Sequence, residues 1–209
     1  MEVIIDNTLR IQNPTKEILD YCKKELEIDN PQFIKNQYLG YSVWKIPQKL
    51  RWFEKRGEDI IVPFGCLKQI YAIHPYKQNY KMLIPEAEKI QYKSNIKLYD
   101  YQEEAKNKAL KAKNGVIVMA AGSGKTQTAL QIIAELGVKT LWLTHTMDLL
   151  NQSYSRAKDN FDDIKISKIA NGKIDISDGI TFATVQTLSK VDLSQYKNEF
   201  DCIIVDERS

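Results

Sequence analysis

The sequence is poor in cysteine, and its three cysteines follow neither a metal-binding nor a disulfide pattern. Cys22, Cys66 and Cys202 are far apart along the chain, and no Cys-x-x-Cys pair occurs. Structural zinc sites and disulfide frameworks need closely spaced or evenly paired cysteines. We therefore expect reduced, buried thiols and no zinc.

The sequence also lacks a long hydrophobic run and a secretion signal. No stretch approaches the roughly 20 apolar residues that span a bilayer, and the N-terminus lacks the basic-then-apolar order of a signal peptide. The hydrophobic fraction of 43% is that of an ordinary globular protein. We therefore expect a cytoplasmic protein without a membrane partner.

Charge of one sign is not in excess. The chain of 209 residues carries 30 basic and 27 acidic side chains, a net charge of +3, spread over both halves. Such a balance gives no electrostatic argument for a nucleic-acid partner. Evidence for such a partner has to come from motifs.

Residues 1–92 predict a small α+β domain that ends in a polar linker at about 75–97. Short apolar or alternating runs predict strands, and a proline turn followed by apolar residues three to four apart predicts a helix. The predicted strands are 3–5, 9–11, 41–46 and 59–63, and the predicted helices are 16–26 and 65–73.

Aromatic and basic residues alternate within this first domain, and two interpretations stay open. The rings form a nucleic-acid surface on which bases stack beside phosphate contacts, or they belong to the core while the cations are solvated. Alternation favours the second, since one face of a strand at 41–46 must be buried. The residues concerned are Tyr38, Tyr41, Trp44, Lys45, Lys49, Arg51, Trp52, Lys55 and Arg56.

The central motif is Met119-Ala-Ala-Gly-Ser-Gly-Lys-Thr126. The apolar run 115–118 before it predicts a buried strand, and residues 127–136 after it predict a helix. Gly122 and Gly124 permit a tight turn whose amides converge on phosphate at the helix N-terminus. Lys125 adds charge for the outer phosphates, and the Thr126 hydroxyl is suited to Mg²⁺. The motif predicts ATP and Mg²⁺ bound by a loop that includes Ala121 and Ser123.

The motif lacks the leading glycine of the strict phosphate-loop pattern, because Met119 stands there. In this it resembles the first motif of superfamily-two helicases of the DEAD/DEAH type. The run Leu98-Tyr-Asp-Tyr-Gln102 is similar to the segment that precedes that motif, which implies that Gln102 recognises adenine. Residues 30–72 also look like the N-terminal domain of phage-type members. The resemblance implies an α/β fold: a RecA-like domain with a mostly parallel sheet, preceded by the α+β domain.

Two later strands end in threonine-rich segments. Thr144 lies near the end of the run 139–145 and Thr146 directly after it. Thr184 lies near the end of the run 179–185, and Gln186 and Thr187 directly after it. Both segments resemble the helicase motifs that contact the nucleic-acid backbone through hydroxyls and helix amides. The alternative for each is an ordinary strand–helix unit. The resemblance implies a nucleic-acid partner, DNA more than RNA.

The run Phe200–Val205 predicts a strand that delivers Asp206 and Glu207 to the carboxyl edge of a parallel sheet. An acidic pair there suits Asp206 to hold Mg²⁺ through water. Glu207 would orient the water that attacks the γ-phosphate. Lys125, Asp206 and Glu207 are therefore the predicted catalytic residues.

The resemblance covers about half of a motor, so residues 93–209 are expected to be an incomplete first motor domain that needs a second one. The strand that lies between the phosphate-loop strand and the Asp206 strand in such sheets would follow residue 209. We expect a gap there or a displaced Asp206 strand.

The chain alone should hydrolyse ATP weakly, since it lacks the arginines of the second domain. A non-catalytic nucleic-acid-binding module and the motor of a restriction-type nuclease are the alternatives.

Overall fold

The computed structural model describes residues 1–83, 86–170, 173–196 and 198–206. The chain forms two compact units, Met1–Pro85 and Glu86–Ser209. Among the described residues no helix is long and apolar enough to cross a membrane.

The first unit is built on a five-stranded sheet. Its elements are β1 (Glu2–Ile5), β2 (Thr8–Gln12), α1 (Lys16–Glu25), β3 (Glu27–Asp29), α2 (Pro31–Tyr38), β4 (Lys49–Arg51), β5 (Glu54–Arg56), β6 (Asp59–Pro63), α3 (Leu67–Ile73) and β7 (Tyr80–Met82). The strand order is β5-β6-β2-β1-β7, antiparallel except for β1 with β7. Strands β3 and β4 form a separate antiparallel ribbon.

Alternation and helical spacing explain the core of this unit. Val3 and Ile5 on β1 and Leu9 and Ile11 on β2 face inwards, and Ile18 of α1 packs against the same cluster. Burial of such side chains stabilises the unit by about 1.5–3 kcal/mol each. The predictions for strands 3–5, 9–11 and 59–63 and for helices 16–26 and 65–73 are confirmed, with α3 preceded by a short 3₁₀ turn at Phe64–Cys66.

Two predictions for residues 1–97 do not match the structure. Residues 41–46 form a turn-rich loop rather than a strand, because the chain is drawn back on itself by local hydrogen bonds such as Ile46 N–H to the Val43 carbonyl at 3.0 Å. Residues 80–82 and 93–94, assigned to a linker by composition, form short strands because each finds a neighbour to pair with.

The second unit surrounds a four-stranded parallel sheet. Its elements are β8 (Lys93–Ser94), α4 (Asp100–Ala112), α5 (Lys125–Leu136), β9 (Thr140–Thr144), α6 (Met147–Asn160), β10 (Phe161–Asp162), β11 (Ile166–Ile169), β12 (Ile180–Thr184), α7 (Val185–Leu188) and β13 (Cys202–Asp206). The sheet order is β11-β12-β9-β13, and β8 pairs with β10. Trp142 and Phe182 fill the core on one face, and Leu141 and Ala183 on the other.

The sheet is open beside β13. Ile203 and Val205 share one face of β13 and are 59% and 55% exposed, although central parallel strands are normally covered on both faces. The predicted strand at 115–118 is wrong: these residues have no regular secondary structure, and Val116 and Val118 are each 90% exposed. Apolar content alone does not make a strand, because the backbone needs a neighbouring chain to pair with. Residues 115–118 do not pair with β13, which is an edge strand of the described sheet.

Candidate functional site

The loop 119–124 takes its shape from two glycines with positive φ. Gly122 has φ +76° and Gly124 φ +80°, in the left-handed region that side chains with a Cβ disfavour. Gly124 is also the N-cap residue of α5, which begins at Lys125. The N-terminal amides of this 12-residue helix therefore open directly onto the loop.

Gln102 holds the loop from the side of α4. Its Nε2 donates to the Ser123 carbonyl at 2.8 Å, and its Oε1 accepts from the Tyr99 N–H at 2.9 Å. The side chain is 2% exposed, and both of its polar groups are used inside the protein. Tyr101 Oη adds a second bond to the Ser123 carbonyl at 3.1 Å. In this arrangement Gln102 links the start of α4 to the loop, and it would contact adenine only after exchanging one of these bonds.

Lys125 and Thr126 occupy the first turn of α5. Lys125 Nζ bends back over the loop, where it donates to the carbonyls of Met119 at 3.2 Å and Ala120 at 3.5 Å. The Ser123 hydroxyl donates to the same Ala120 carbonyl at 2.7 Å, and Ala121 is exposed at the turn. Among the residues that the structure describes, the Lys125 ammonium group contacts only backbone carbonyls of the loop. An anion such as a phosphate would be a stronger partner for it.

Thr126 meets Asp206 across 80 residues of sequence. Thr126 Oγ1 donates to Asp206 Oδ2 at 3.4 Å, and Ser153 Oγ of α6 donates to the same carboxylate oxygen at 3.3 Å. Asp206 lies at the carboxyl end of β13, next to Thr144 at the end of β9. Glu207 lies outside the described residues.

The donor set suits Mg²⁺ rather than a transition metal. The described residues contain no cluster of three or more His, Cys, Asp or Glu side chains that could hold a metal ion by itself. A hydroxyl and one carboxylate are what Mg²⁺ uses when water and phosphate oxygens complete its shell. Thr126 and Asp206 therefore fit the predicted Mg²⁺ site.

The threonines predicted to contact nucleic acid fall into a buried and an accessible group. Thr144 and Thr184 are register partners at the ends of β9 and β12 and are 0% and 2% exposed. Thr144 Oγ1 donates to the Thr146 carbonyl at 3.1 Å, and Thr184 Oγ1 accepts from the Thr187 N–H at 3.1 Å. Their hydroxyls shape the loops at the carboxyl edge of the sheet.

Thr146 and Gln186 are the exposed members of the set, and Thr187 is half-buried. Thr146 caps α6, its Oγ1 accepting from the Leu149 N–H at 3.3 Å. Thr187 Oγ1 lies 2.8 Å from Thr184 Oγ1, so its hydroxyl is tied to the buried one. Of the residues predicted to contact nucleic acid, Thr146 and Gln186 thus present exposed side chains.

Sequence patterns missed two side chains that support the site. Ser153 is 3% exposed in the middle of α6, and Lys106 is 7% exposed in the middle of α4. Lys106 Nζ contacts Glu103 and Glu135 at 2.9 Å each, tying α4 to α5. Neither residue belongs to a recognisable motif. The only sequence signal for Lys106 is its spacing of three from Glu103.

Parts of this chain are similar to proteins of known families. Residues 95–208 match the model of the family described as "Type III restriction enzyme, res subunit". A 115-residue part of the chain is 37% identical to the DNA 3'-5' translocase XPB2 of Sulfurisphaera tokodaii, covering 55% of this chain and 26% of that one. A 94-residue part is 32% identical to the putative ATP-dependent RNA helicase L396 of Acanthamoeba polyphaga mimivirus, covering 44% and 18%. The chain thus matches about a fifth to a quarter of the length of these relatives.

The fold of the whole chain has a counterpart among solved structures. The UvsW helicase of bacteriophage T4 aligns with 99% of this chain and 82% of its own, with a TM-score of 0.68 and 18% sequence identity. At that identity the likeness speaks for the fold alone. It confirms the predicted fold class, an α/β RecA-like domain preceded by a small α+β domain.

Proposed function

Because this chain belongs to the type III restriction enzyme res-subunit family of superfamily-two helicases, we propose that it binds ATP with Mg²⁺ in a helicase or translocase motor. Hydrolysis of the nucleotide would be coupled to moving along, unwinding or remodelling nucleic acid, DNA in preference to RNA. The preference for DNA follows the relative with the higher identity, which is named a DNA translocase.

One observation carries the proposal: Thr126 and Asp206 lie 3.4 Å apart beside a loop whose glycines have positive φ. A chance Gly-x-Gly-Lys-Thr sequence has no reason to bring a distant carboxylate to its threonine. Here β13 ends at Asp206, beside the first turn of α5, which follows the loop. In open α/β sheets, ligands bind at this carboxyl end of the strands.

The residues then divide the work of phosphoryl transfer. The amides of 122–126 and the Lys125 ammonium bind the phosphates, and Thr126 and Asp206 hold Mg²⁺. Bound Mg²⁺ supplies neutralisation of the charge that develops on the phosphate oxygens. Glu207, by its position after Asp206 in the sequence, orients the attacking water. Gln102 bonds the loop to α4 through the Ser123 carbonyl and would exchange a hydrogen bond when the adenine base binds.

The nucleic-acid side of the motor is proposed at the carboxyl ends of β9 and β12. Thr146, Gln186 and the first amides of α6 are exposed there and suit phosphate oxygens, a contact that carries no base specificity. Thr144 and Thr184 act from beneath by fixing these loops. The loop after β9 adjoins the strand end that carries Asp206, and the loop after β12 lies one strand farther away, so nucleic acid and nucleotide would be bound by nearby parts of one sheet.

Equilibrium nucleotide binding tests the proposal directly. Titration of a fluorescent ATP analogue with Mg²⁺ should give saturable binding to the wild-type chain and about 10- to 100-fold weaker binding to Lys125→Ala, because a charge-assisted contact is lost. Lys108→Ala, an exposed lysine of α4, is the matched control and should bind like wild type. A non-catalytic module predicts no nucleotide binding by any of the three proteins.

The family description favours one further candidate, the motor of a restriction-type nuclease. In a motor that couples its two sites, bound nucleic acid changes the affinity for nucleotide, and nucleotide changes the affinity for nucleic acid by the same factor. A motor that tracks along duplex should gain nucleotide affinity with blunt duplex DNA, and a strand-separating helicase should gain more with a single strand. Titration of the analogue with saturating amounts of each DNA separates the two.

A further inference from the structure

The first unit leaves four large aromatic rings in solvent. Tyr38, Tyr41, Trp44 and Trp52 are 89%, 64%, 81% and 59% exposed. The unit does not lack a core, since ten of its apolar residues are buried and Phe53 and Phe64 pack against them. Exposed rings clustered within 15 residues therefore need another explanation, and we call these four the ring surface.

The segment that carries the ring surface is held in a defined shape. Asn30, which is 6% exposed, links the start of α2 to the chain just before β4. Its Nδ2 donates to the Pro47 carbonyl at 2.8 Å, and its Oδ1 accepts from the Gln32 N–H at 3.0 Å. Asn36 bridges the middle, its carbonyl accepting from the Tyr41 N–H at 2.8 Å. Tyr41 and Trp44 thus lie in a hydrogen-bonded loop between α2 and β4. Tyr38 is the last residue of α2, and Trp52 follows directly after β4.

The apex of this loop is a turn that displays Trp44. The Ile46 N–H donates to the Val43 carbonyl at 3.0 Å, and Lys45 has φ +64°. A non-glycine residue in the left-handed region costs roughly 1–2 kcal/mol and persists only where its surroundings require it. The turn sets an exposed indole beside an exposed ammonium.

The charge of this segment differs from that of the rest of the unit. Residues 30–56 carry six basic side chains and one acidic side chain, whereas the rest of residues 1–85 carries seven and nine. All six cations are exposed. Within the part of the chain that the structure describes, Lys35, Lys45 and Lys55 form no salt bridge.

We propose that the ring surface binds single-stranded nucleic acid, its rings stacking on unpaired bases while the surrounding lysines contact phosphates. Exposed aromatic side chains with interspersed cations are the combination that binds single strands without regard to sequence, because every base has a face to stack on. The inference adds to the proposed motor a second contact, outside the RecA-like domain. It rests on the proposed function only for the class of partner.

A protein partner fits this surface less well. Four of the six cations are lysines, and lysine is depleted at the centre of protein interfaces, where arginine is preferred. Lysine is instead an ordinary ligand of phosphate. The net positive charge of the segment also opposes pairing with a second copy of itself.

Fluorescence anisotropy on the full chain, without nucleotide, tests the proposal. Labelled 20-nucleotide oligo-dT and oligo-U strands and a blunt 20-base-pair duplex are titrated with wild type, Trp44→Ala and Tyr41→Ala. We expect at least one single strand to bind more tightly than the duplex, and each alanine to weaken it by about tenfold or more. Tyr76→Ala, which removes a ring of the same unit that is 56% exposed, is the matched control and should change little.

Intrinsic fluorescence separates stacking from mere proximity. Trp44 and Trp52 are exposed and the third tryptophan, Trp142, is fully buried, so stacking should quench the emission of the first two alone. Trp44→Phe keeps an aromatic face and should restore most of the affinity that Trp44→Ala loses. Equal weakening by both substitutions would show that stacking does not contribute.

Failure of this inference is distinguishable from failure of the proposed function. If Lys125→Ala loses nucleotide while the ring variants bind single strands like wild type, the ring surface is refuted and the motor stands. If wild type sediments as a concentration-dependent dimer that Trp44→Ala abolishes, a second copy is the occupant and the proposal is overturned. Nucleotide affinity should be unchanged in Trp44→Ala.

Discussion

Thr126 and Asp206 are 80 residues apart in sequence, yet Thr126 Oγ1 donates to Asp206 Oδ2 at 3.4 Å. The contact joins the first turn of α5 to the end of β13, and β13 in turn pairs with β9. A hydroxyl and a carboxylate oxygen in this position form the nucleus of a Mg²⁺ site that phosphate oxygens complete.

Thr126→Ala should abolish most of the gain in nucleotide affinity that Mg²⁺ provides, because it removes one of the two protein groups proposed for the ion. We expect a loss of about tenfold or more in Mg²⁺ buffer and little change in EDTA. Thr126→Ser retains the hydroxyl and should behave like wild type. An unchanged ratio of affinities in Mg²⁺ and EDTA would contradict the assignment.

Ser153→Ala should produce a weaker version of the same effect. Ser153 Oγ donates to Asp206 Oδ2 at 3.3 Å and so orients the carboxylate without being proposed as a ligand. Loss of this supporting bond should lower the metal affinity by up to about tenfold, the lower end of the roughly 10- to 100-fold range for such bonds in known sites. Calorimetric titration of the nucleotide at several Mg²⁺ concentrations measures it. Ser155→Ala, exposed on the same helix, is the control, and equal behaviour of the two variants would remove Ser153 from the site.

The two loop glycines should respond differently to alanine. Both have positive φ, so each substitution strains the backbone by about 1–2 kcal/mol. At Gly122 an added Cβ meets no atom within 4 Å, whereas at Gly124 it overlaps Nε2 of Gln102. Gly124→Ala should therefore lower the urea midpoint more than Gly122→Ala. Gln102→Ala combined with Gly124→Ala should recover part of the difference, and strict additivity of the two substitutions would exclude the proposed clash.

Sequence spacing predicted that Thr126 and Asp206 lie close together, and the structure brings them into contact. The glycine loop, Lys125 and Thr126 are contiguous, and a parallel strand delivers Asp206 to the sheet edge at which ligands bind. What the sequence could not provide was pairing. The runs 115–118 and 41–46 have the composition or alternation of strands, but neither forms one. A strand exists only where a neighbour completes its hydrogen bonds, and that information is not local.

Polar residues inside helices were missed for a related reason. Ser153 and Lys106 occupy mid-helix positions at which serine and lysine are usually solvated, and only the packed structure shows that both are buried. The exposed rings of residues 38–52 are the converse case. Alternation favoured a buried face there, and the loop conformation left the rings outside.

Lys106 provides a prediction that depends on pH. Hydrogen bonds that the Lys106 ammonium donates to Glu135 and Glu103 raise the pKa of Lys106 above its usual 10.5, so the folded chain favours the charged form more than the unfolded chain does. The resulting stabilisation is fully present below pH 10.5 and is lost as the pH rises through the raised pKa of the folded state.

Lys106→Met should therefore lower the free energy of unfolding by about 1 kcal/mol at neutral pH. The expected loss of unfolding free energy is modest because both carboxylates are half-exposed and regain water when the ammonium group is removed. The deficit relative to wild type should shrink in strongly alkaline buffer, as measured by urea unfolding across a pH series. Lys108→Met removes an exposed ion pair of the same helix and should change stability little at any pH. A deficit for Lys106→Met that is constant with pH would assign the role of this residue to packing of its aliphatic stem rather than to its charge.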